Sequence, residues 1–331
     1  MLQNFISGQM TASCDPLVLA EEIIAGRRIT RDDHPEQLLK VDLPSLCKGA
    51  DRIRHDLCGD RFEFCTIINA RSGRCGEDCR FCAQSCHHHT NTEEYPFLSS
   101  DEMIEDALRS ETAGVDRYSI VTAGRGLHGA DFAEAVAVYR RMKRETHLSL
   151  CASHGLQTDE EFKQLKAAGV TRYHANIETS ARYFPQICTT HTYQDKIDNI
   201  QRARQAGLSI CSGGIIGMGE TAEDRLDMAI SLSELAVDSI PINLFTPIKG
   251  TPLADLPPIA EENVLRTVAF FRYINPTAQI RMAAGRRRFS DHGAALFRSG
   301  ANAAITGDML TTTGTGIAED RAMVTQIGYT L

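Results

Sequence analysis

Short runs rich in β-branched and aromatic residues recur along the chain, separated by longer amphipathic stretches. The short runs are FEFCTIIN (62–69), RYSIVTA (117–123), LSLCAS (148–153), TRYHANI (171–177), LSICSGGIIG (208–217), DSIPINLF (238–245), AQIRMAA (278–284) and NAAITG (302–307). Each reads as a strand. The stretches between them read as helices, among them 99–114, 157–169 and 192–207. Several open on Ser or Thr followed by acids and close on Ala-Gly, the signals of an N-cap and of a left-handed C-terminal turn. Eight strands alternating with helices predict an α/β fold, a parallel (β/α)8 TIM barrel, and residues 60–310 supply the roughly 250 residues such a barrel needs. A doubly wound open sheet is the structural alternative. Residues 16–58 are charged and helix-like, so we divide the chain into an N-terminal helical extension (1–58) and a barrel (59–331).

Composition narrows the partners. The chain of 331 residues is 42% hydrophobic and 24% charged, ordinary for a globular protein. Its net charge of −8 argues against nucleic acid or an anionic membrane surface. No apolar run is long enough to span a bilayer, and the N-terminal MLQNFISGQMTASCD does not read as a secretory signal. Eleven cysteines, an odd number, then suggest a reducing, cytoplasmic setting in which thiols serve metal rather than disulfides.

The candidate chemistry starts at Cys75, Cys79 and Cys82, spaced C-x3-C-x2-C just beyond the first strand, where a barrel carries its active site. Three thiolates on one loop can hold three irons of a 4Fe–4S cube and leave the fourth iron open to a ligand. A zinc loop or inert reduced thiols are the plainer readings, though neither requires this asymmetric triplet. A second segment, GGIIGMGET (213–221), ends the fifth strand. Glycines there let backbone approach a flat ligand, but alone they are more simply a tight turn.

The triplet resembles the signature of the radical S-adenosylmethionine (AdoMet) superfamily. The glycine-rich segment is similar to that superfamily's adenine-contact pattern G-x-I-x-G-x-x-E, matched by Gly213, Ile215, Gly217 and Glu220. Further segments sharpen the resemblance to the biotin synthase family over about residues 50–329: CGEDCRFCAQS, YHANIETS, TTHTYQDKID, CSGGIIGMGET, SIPINLF, KGTPLAD, IRMAAGR and GDMLTT. The resemblance implies conversion of dethiobiotin to biotin, with AdoMet cleaved at a 4Fe–4S cluster held by Cys75, Cys79 and Cys82, and with sulfur donated by an auxiliary iron–sulfur cluster. It implies a flavodoxin- or ferredoxin-type electron donor and a homodimer. By the same resemblance Phe81 packs near the adenine, and the backbone of Thr122, Ala123 and Gly124 meets the methionine amino group. Asn176 and Glu178 bind the ribose, Glu178 standing where the family often has Asp. Lys196 takes the place of an Arg that pairs with the methionine carboxylate, keeping the charge but not the bidentate fork. Asn176 and Asn243 hydrogen-bond the ureido ring of dethiobiotin, the Thr311–Thr312 backbone holds its carboxylate, and His174 replaces an Asn near the ring.

Many members of that family hold a 2Fe–2S auxiliary cluster with three Cys and one Arg. Cys151, Cys211 and Arg281 match three of these ligands, but Ser119 stands at the fourth, and a neutral hydroxyl is a poor iron ligand. Cys65 lies on the first strand. With Cys151, Cys211 and Arg281 it falls on strands one, three, five and seven, one layer of a barrel interior. We therefore expect the third thiolate to have moved from strand two to strand one, with a 2Fe–2S or larger cluster; Ala303, in place of a family Ser, also fits a remodelled site. The bland alternative is a small buried hydrophobe. Cys58 is expected at the barrel's bottom, Cys86 and His87–His89 in a solvated loop, and Cys14, Cys47 and Cys188 in structural roles. Hydrogenase-maturation and methylornithine-forming relatives share the triplet and barrel but not the sulfur-donating cluster, so Cys151, Cys211 and Arg281 count against them. A non-enzymatic metal-stabilised module leaves the adenine-contact pattern unexplained.

Overall fold

The computed structural model describes residues 15–311 and 314–331; Cys14 and Thr312 lie outside the described residues. Nine parallel strand segments build one sheet: β1 (Glu63–Arg71), β2 (Arg117–Thr122), β3 (Ser149–Ser153), β4 (Arg172–His174), β5 (Ser209–Cys211), β6 (Gly214–Ile216), β7 (Ser239–Leu244), β8 (Gln279–Met282) and β9 (Ala303–Ile305). Their spatial order is β5-β4-β3-β2-β1-β9-β8-β7-β6, and β5 pairs again with β7 through Cys211 and Ser239. That last pairing closes the sheet into an eight-stave barrel and removes the open-sheet alternative.

The expected strand over 208–217 is not continuous; β5 and β6 share one stave, parted at Ser212–Gly213. The Gly213 N–H donates to the Asn176 side chain (3.1 Å) instead of to a neighbouring strand, which interrupts the ladder. The break falls at the segment expected to face adenine.

Helices α1 (Pro16–Ile24) and α2 (Leu43–Cys58) precede the barrel. They are followed by α3 (Ser100–Thr112), α4 (Gly129–Glu145), α5 (Asp159–Ala167), α6 (Tyr193–Gln205), α7 (Ala222–Glu234), α8 (Glu261–Ile274), α9 (Ala294–Phe297) and α10 (Ile317–Gln326). The cap signals hold in detail. Ser99, Thr158 and Thr192 each accept from the third helical N–H, while Glu102, Glu161 and Asp195 reach back to the cap. Each such cap is worth about 1 kcal/mol. The α1–α2 pair packs on α8, where the Tyr273 hydroxyl donates to the Pro16 carbonyl (2.8 Å). Along the staves the side chains face alternate sides as a pleat demands: Tyr118 and Ile120 of β2 face the helices, whereas Arg117, Ser119 and Val121 face the lumen. Polar lumen residues on otherwise apolar strands are what the barrel gives over to chemistry.

Candidate active site inside the barrel

The lumen opens into a cavity of about 330 Å³ whose wall takes alternate residues from successive staves. Cys65, Cys151, Cys211 and Arg281 all stand on it, on the first, third, fifth and seventh staves. Cys65 is therefore turned inward; it is 5% exposed, beside Cys151 and Arg281. Burial pushes its thiol up to about 12, against the pull of Arg281. Burial and the neighbouring Cys211 likewise raise Cys151, to about 11. For Cys211 burial also acts upward, but His174, whose Nδ1 lies 3.4 Å from its sulfur, and the guanidiniums of Arg172 and Arg281 reverse the sign and bring it down to about 7. Ser119 borders the same space and lies within hydrogen-bond reach of Cys151.

Beneath this layer lies a basic floor that the sequence reading missed. Glu63 forms an ion pair with Arg281 and lies 3.5 Å from Arg117 and 3.3 Å from Arg172. Burial disfavours its charge, yet the guanidiniums of Arg281, Arg117 and Arg172 hold the carboxyl down at about 2. Three guanidinium groups share one carboxylate, so the floor is strongly positive. Arg281 also donates to the carbonyl of Ala304 (3.0 Å) and to Ser239 (3.4 Å), which fixes its place under the thiols. The available signal was parity: Arg117 and Arg172 sit two residues before Ser119 and His174, in the inward phase of their strands. Three thiols over a cationic floor fit an anionic, thiolate-ligated iron–sulfur cluster.

At the mouth, Cys75, Cys79 and Cys82 share the loop after β1. Cys86 N–H donates to the Cys75 carbonyl (2.8 Å) and Cys82 N–H to the Cys79 carbonyl (2.9 Å), so the backbone folds back on itself around the thiols. The thiols stand near enough to raise one another, after burial: Cys82 reaches about 11 through burial and Cys75. Three thiolates on one loop would repel one another without a cation between them, so this set also fits its cluster. Cys86, His87 and His89 are exposed, as expected of a solvated stretch, while His87 and His88 also bond the backbone carbonyls of Gly76 and Cys82. Cys58 accepts from Arg272 Nη1 (3.2 Å) at the end of α2, on the side where β1 begins, away from the cavity.

Between floor and mouth stand the other expected residues. Phe81, Asn176, Glu178, Ile215, Asn243, His174 and Thr311 line the cavity. Asn176 bridges two of them, accepting from Gly213 N–H and donating to Glu178 Oε2 (3.3 Å). Glu178 adopts φ +69°, rare for a side-chain-bearing residue and the kind of strain found at functional sites. Burial raises its carboxyl, while Lys196 on α6 opposes that rise from nearby. Gly213 has no room for a side chain: a Cβ would lie 2.0 Å from the Pro241 carbonyl oxygen. Gly217, at φ +97°, turns the chain so that its N–H and that of Met218 (both 2.8 Å) donate to Glu220, which Arg225 holds at 2.9 Å. Glu220 thus builds the turn from within. Thr122, Ala123 and Gly124 follow the end of β2; the Ala123 carbonyl accepts from Arg71 Nε (2.9 Å), and the Gly124 N–H lies within reach of the Cys75 sulfur.

Cys188, expected in a structural role, stands against the cysteine loop: its sulfur lies 3.6 Å from Cys79 Sγ and 3.3 Å from His191 Nδ1. A hydrogen bond from Cys79 holds Cys188 down at about 4 against burial, with His191 assisting, and the same contact pushes Cys79 up. The pairing joins the cysteine loop to a segment more than a hundred residues away, which no spacing rule could reveal.

Residues 70–232 match the model of the radical SAM superfamily, and residues 241–330 match the biotin and thiamin synthesis associated domain. The chain is 58% identical over 313 residues to the biotin synthase of Clostridium beijerinckii, covering 95% of this chain and 99% of that protein. It is 50% identical to that of Akkermansia muciniphila, covering 94% and 97%. Among solved structures, methylornithine synthase superposes with a TM-score of 0.80 at 19% identity, covering 94% of this chain and 96% of that one. The [FeFe]-hydrogenase maturase HydG superposes with a TM-score of 0.82 at 18% identity, covering 96% and 75%. These two share the barrel; the sequence relationship lies with the former pair. With near-complete coverage at such identity, the chain belongs to the biotin synthase family of the radical SAM superfamily.

Proposed function

We propose that this chain is a radical AdoMet sulfurtransferase that inserts sulfur into dethiobiotin to form biotin. The observation that carries the reading is the stacking of two thiol sets in one barrel. Cys75, Cys79 and Cys82 ring the mouth, and Cys65, Cys151 and Cys211 line the floor with Arg281, with one cavity between. When bound, the 4Fe–4S cluster supplies the electron that cleaves AdoMet to methionine and a 5′-deoxyadenosyl radical, and the auxiliary cluster supplies the sulfur.

The protein's share is positioning and exclusion of water. Phe81 and Ile215 would contact the adenine, Asn176 and Glu178 would bind the ribose, and the Thr122–Gly124 backbone with Lys196 would receive the amino and carboxylate groups of the methionine half. Asn243 stands ready at the ureido ring, held between Gly214 O (3.2 Å) and Ala284 N (3.3 Å). His174 faces the ring from β4, and Thr311 with Thr312 binds the substrate carboxylate. Ile67, Val121, Ile248 and Leu310 complete an apolar wall that keeps water from the carbon to be activated. Cys65 takes over the thiolate position that Ser119 vacates, and the floor of Arg281, Arg117 and Arg172 balances a 2Fe–2S or larger cluster. The reductant is an external flavodoxin- or ferredoxin-type protein, the working compartment a reducing cytoplasm, and the assembly a homodimer. Ten free thiols among the described residues support the compartment, and no described helix is long and apolar enough to cross a membrane.

The test is anaerobic reconstitution with iron and sulfide, followed by AdoMet, dethiobiotin and a chemical reductant. The expected products are biotin, methionine and 5′-deoxyadenosine. Cleavage of AdoMet without any biotin would refute sulfur insertion.

A further inference from the structure

Cys79, Cys188 and His191 bring two sulfurs and a ring nitrogen within 4.8 Å of one another, half-buried to buried, where α6 approaches the cysteine loop. The separations are those of ligands on a single ion. Two thiolates about 2.3 Å from one metal at the tetrahedral angle stand about 3.8 Å apart, and a thiolate and an imidazole nitrogen about 3.5 Å apart. The structure has 3.6 Å between Cys79 and Cys188 and 3.9 Å between Cys188 and His191 Nε2. Asp78 Oδ1 lies 3.3 Å from Cys188 Sγ, fixed by the N–H groups of Thr189 (2.8 Å) and Thr190 (3.2 Å), and stands beside that sulfur without joining the three-ligand group, which leaves the fourth position to water. Glu77 bonds His191 Nδ1, which leaves Nε2 as the ring nitrogen open to an ion. Two sulfurs and a nitrogen, with the Glu77 carboxylate orienting the imidazole, form a donor set for a thiophilic divalent cation.

We propose that the cluster-free chain binds one thiophilic divalent ion, of the zinc type, at Cys79, Cys188 and His191. The site shares Cys79 with the cube and only Cys79, so the inference rests on that residue being a cluster ligand. Ion and cube are then mutually exclusive. With the ion in place, Cys79 is masked and Cys75 and Cys82 alone cannot anchor a cube. Cluster assembly therefore requires that the ion leave, and excess zinc holds the chain in the cluster-free form.

The test uses full-length reduced protein stripped of metal, titrated anaerobically with Co²⁺ as the probe. Wild type is expected to show intense d–d bands of tetrahedral Co²⁺ and thiolate-to-cobalt charge transfer, both removed by Zn²⁺. Cys188→Ser weakens Co²⁺ binding by more than the roughly 10–100-fold that loss of an outer-shell partner costs. His191→Asn does the same, so that the conclusion does not hang on one variant. Zn²⁺ added before iron and sulfide slows growth of the cube's visible absorption in wild type, and Cys188→Ser abolishes that delay. The proposal is overturned if Cys188→Ser and His191→Asn bind Co²⁺ like wild type while Cys75→Ala or Cys151→Ala loses it, because the ion then sits on a cluster's own cysteines. If zinc does delay assembly but the cube never depends on Cys79, the cluster assignment fails instead, and a Cys79→Ala chain that still assembles the cube identifies that case.

Discussion

Glu63 and Arg281 join the first and seventh staves of the barrel directly beneath the three inward cysteines. Arg117 and Arg172 lean on the same carboxylate, so Glu63 is the one anionic group among three guanidiniums in this floor. Glu63→Gln leaves them facing one another with little water. Loss of one partner from a buried pair costs about 3–5 kcal/mol. Urea unfolding of the cluster-free variant is expected to show a loss of that order, and a smaller loss once the auxiliary cluster is assembled, since its negative charge substitutes for the carboxylate. Equal loss in both states would show that the floor does not sense the cluster.

His154 makes stability depend on pH. It is fully buried, with Nδ1 3.1 Å from the Thr122 hydroxyl and Nε2 2.9 Å from that of Tyr139. Burial, and then Arg71, lower its pKa to about 3. The unfolded chain, with an ordinary histidine near 6.5, takes up the proton first, so stability falls as pH drops below about 6.5 and goes on falling toward 3. Between pH 7.5 and 5.5 this one group should remove about 1.4 kcal/mol. Urea midpoints of wild type and His154→Asn at the two pH values check it: the variant should lose the part of the pH slope that His154 carries.

Gly213 ties the fold to ligand binding. A methyl group there would sit 2.0 Å from the Pro241 carbonyl oxygen, and the residue's N–H already holds Asn176 in place. Gly213→Ala forces the fifth stave outward at a cost of about 1–3 kcal/mol. AdoMet should bind more weakly to the variant than its stability loss explains, as measured by equilibrium dialysis beside thermal unfolding. Unchanged AdoMet affinity in a folded Gly213→Ala chain would separate the glycine from the nucleotide site.

What could be read from the chain, and what could not, follows from the range of each signal. Local signals were sound: Ser99, Thr158 and Thr192 announce their helices within four residues, and strand parity turned Cys65, Cys151 and Cys211 to one side. The break at Gly213 was lost because a glycine inside an apolar run looks like strand until its N–H finds a side chain on another stave. The Glu63 floor was lost because three arginines far apart in sequence converge only when the barrel closes. Cys188 shows no metal pattern in the sequence because, although His191 is three residues on, the second thiol, Cys79, lies in a distant segment, and only the docking of the stretch before α6 on the cysteine loop unites them.

Cys65 decides how the floor is built. It stands on β1, in register with Arg117, and on the same wall as Cys151, Cys211 and Arg281, while the position on β2 holds Ser119. If Cys65 is the third thiolate, Cys65→Ala should leave the cube of Cys75, Cys79 and Cys82 intact and remove the auxiliary cluster. Iron and sulfide would fall to the content of the cube alone, and only the auxiliary Mössbauer components would vanish. Loss of a single buried sulfur costs at most a few kcal/mol in packing, too little to unfold a barrel, so the two clusters report separately. Biotin formation should stop while reductive cleavage of AdoMet continues. Placing the thiol back on β2, in Cys65→Ala combined with Ser119→Cys, should restore part of the auxiliary iron, because Ser119 borders the same space and lies beside Cys151. Unchanged auxiliary iron in Cys65→Ala would return Cys65 to the status of a packed hydrophobe and leave Cys151, Cys211 and Arg281 to hold the cluster without it.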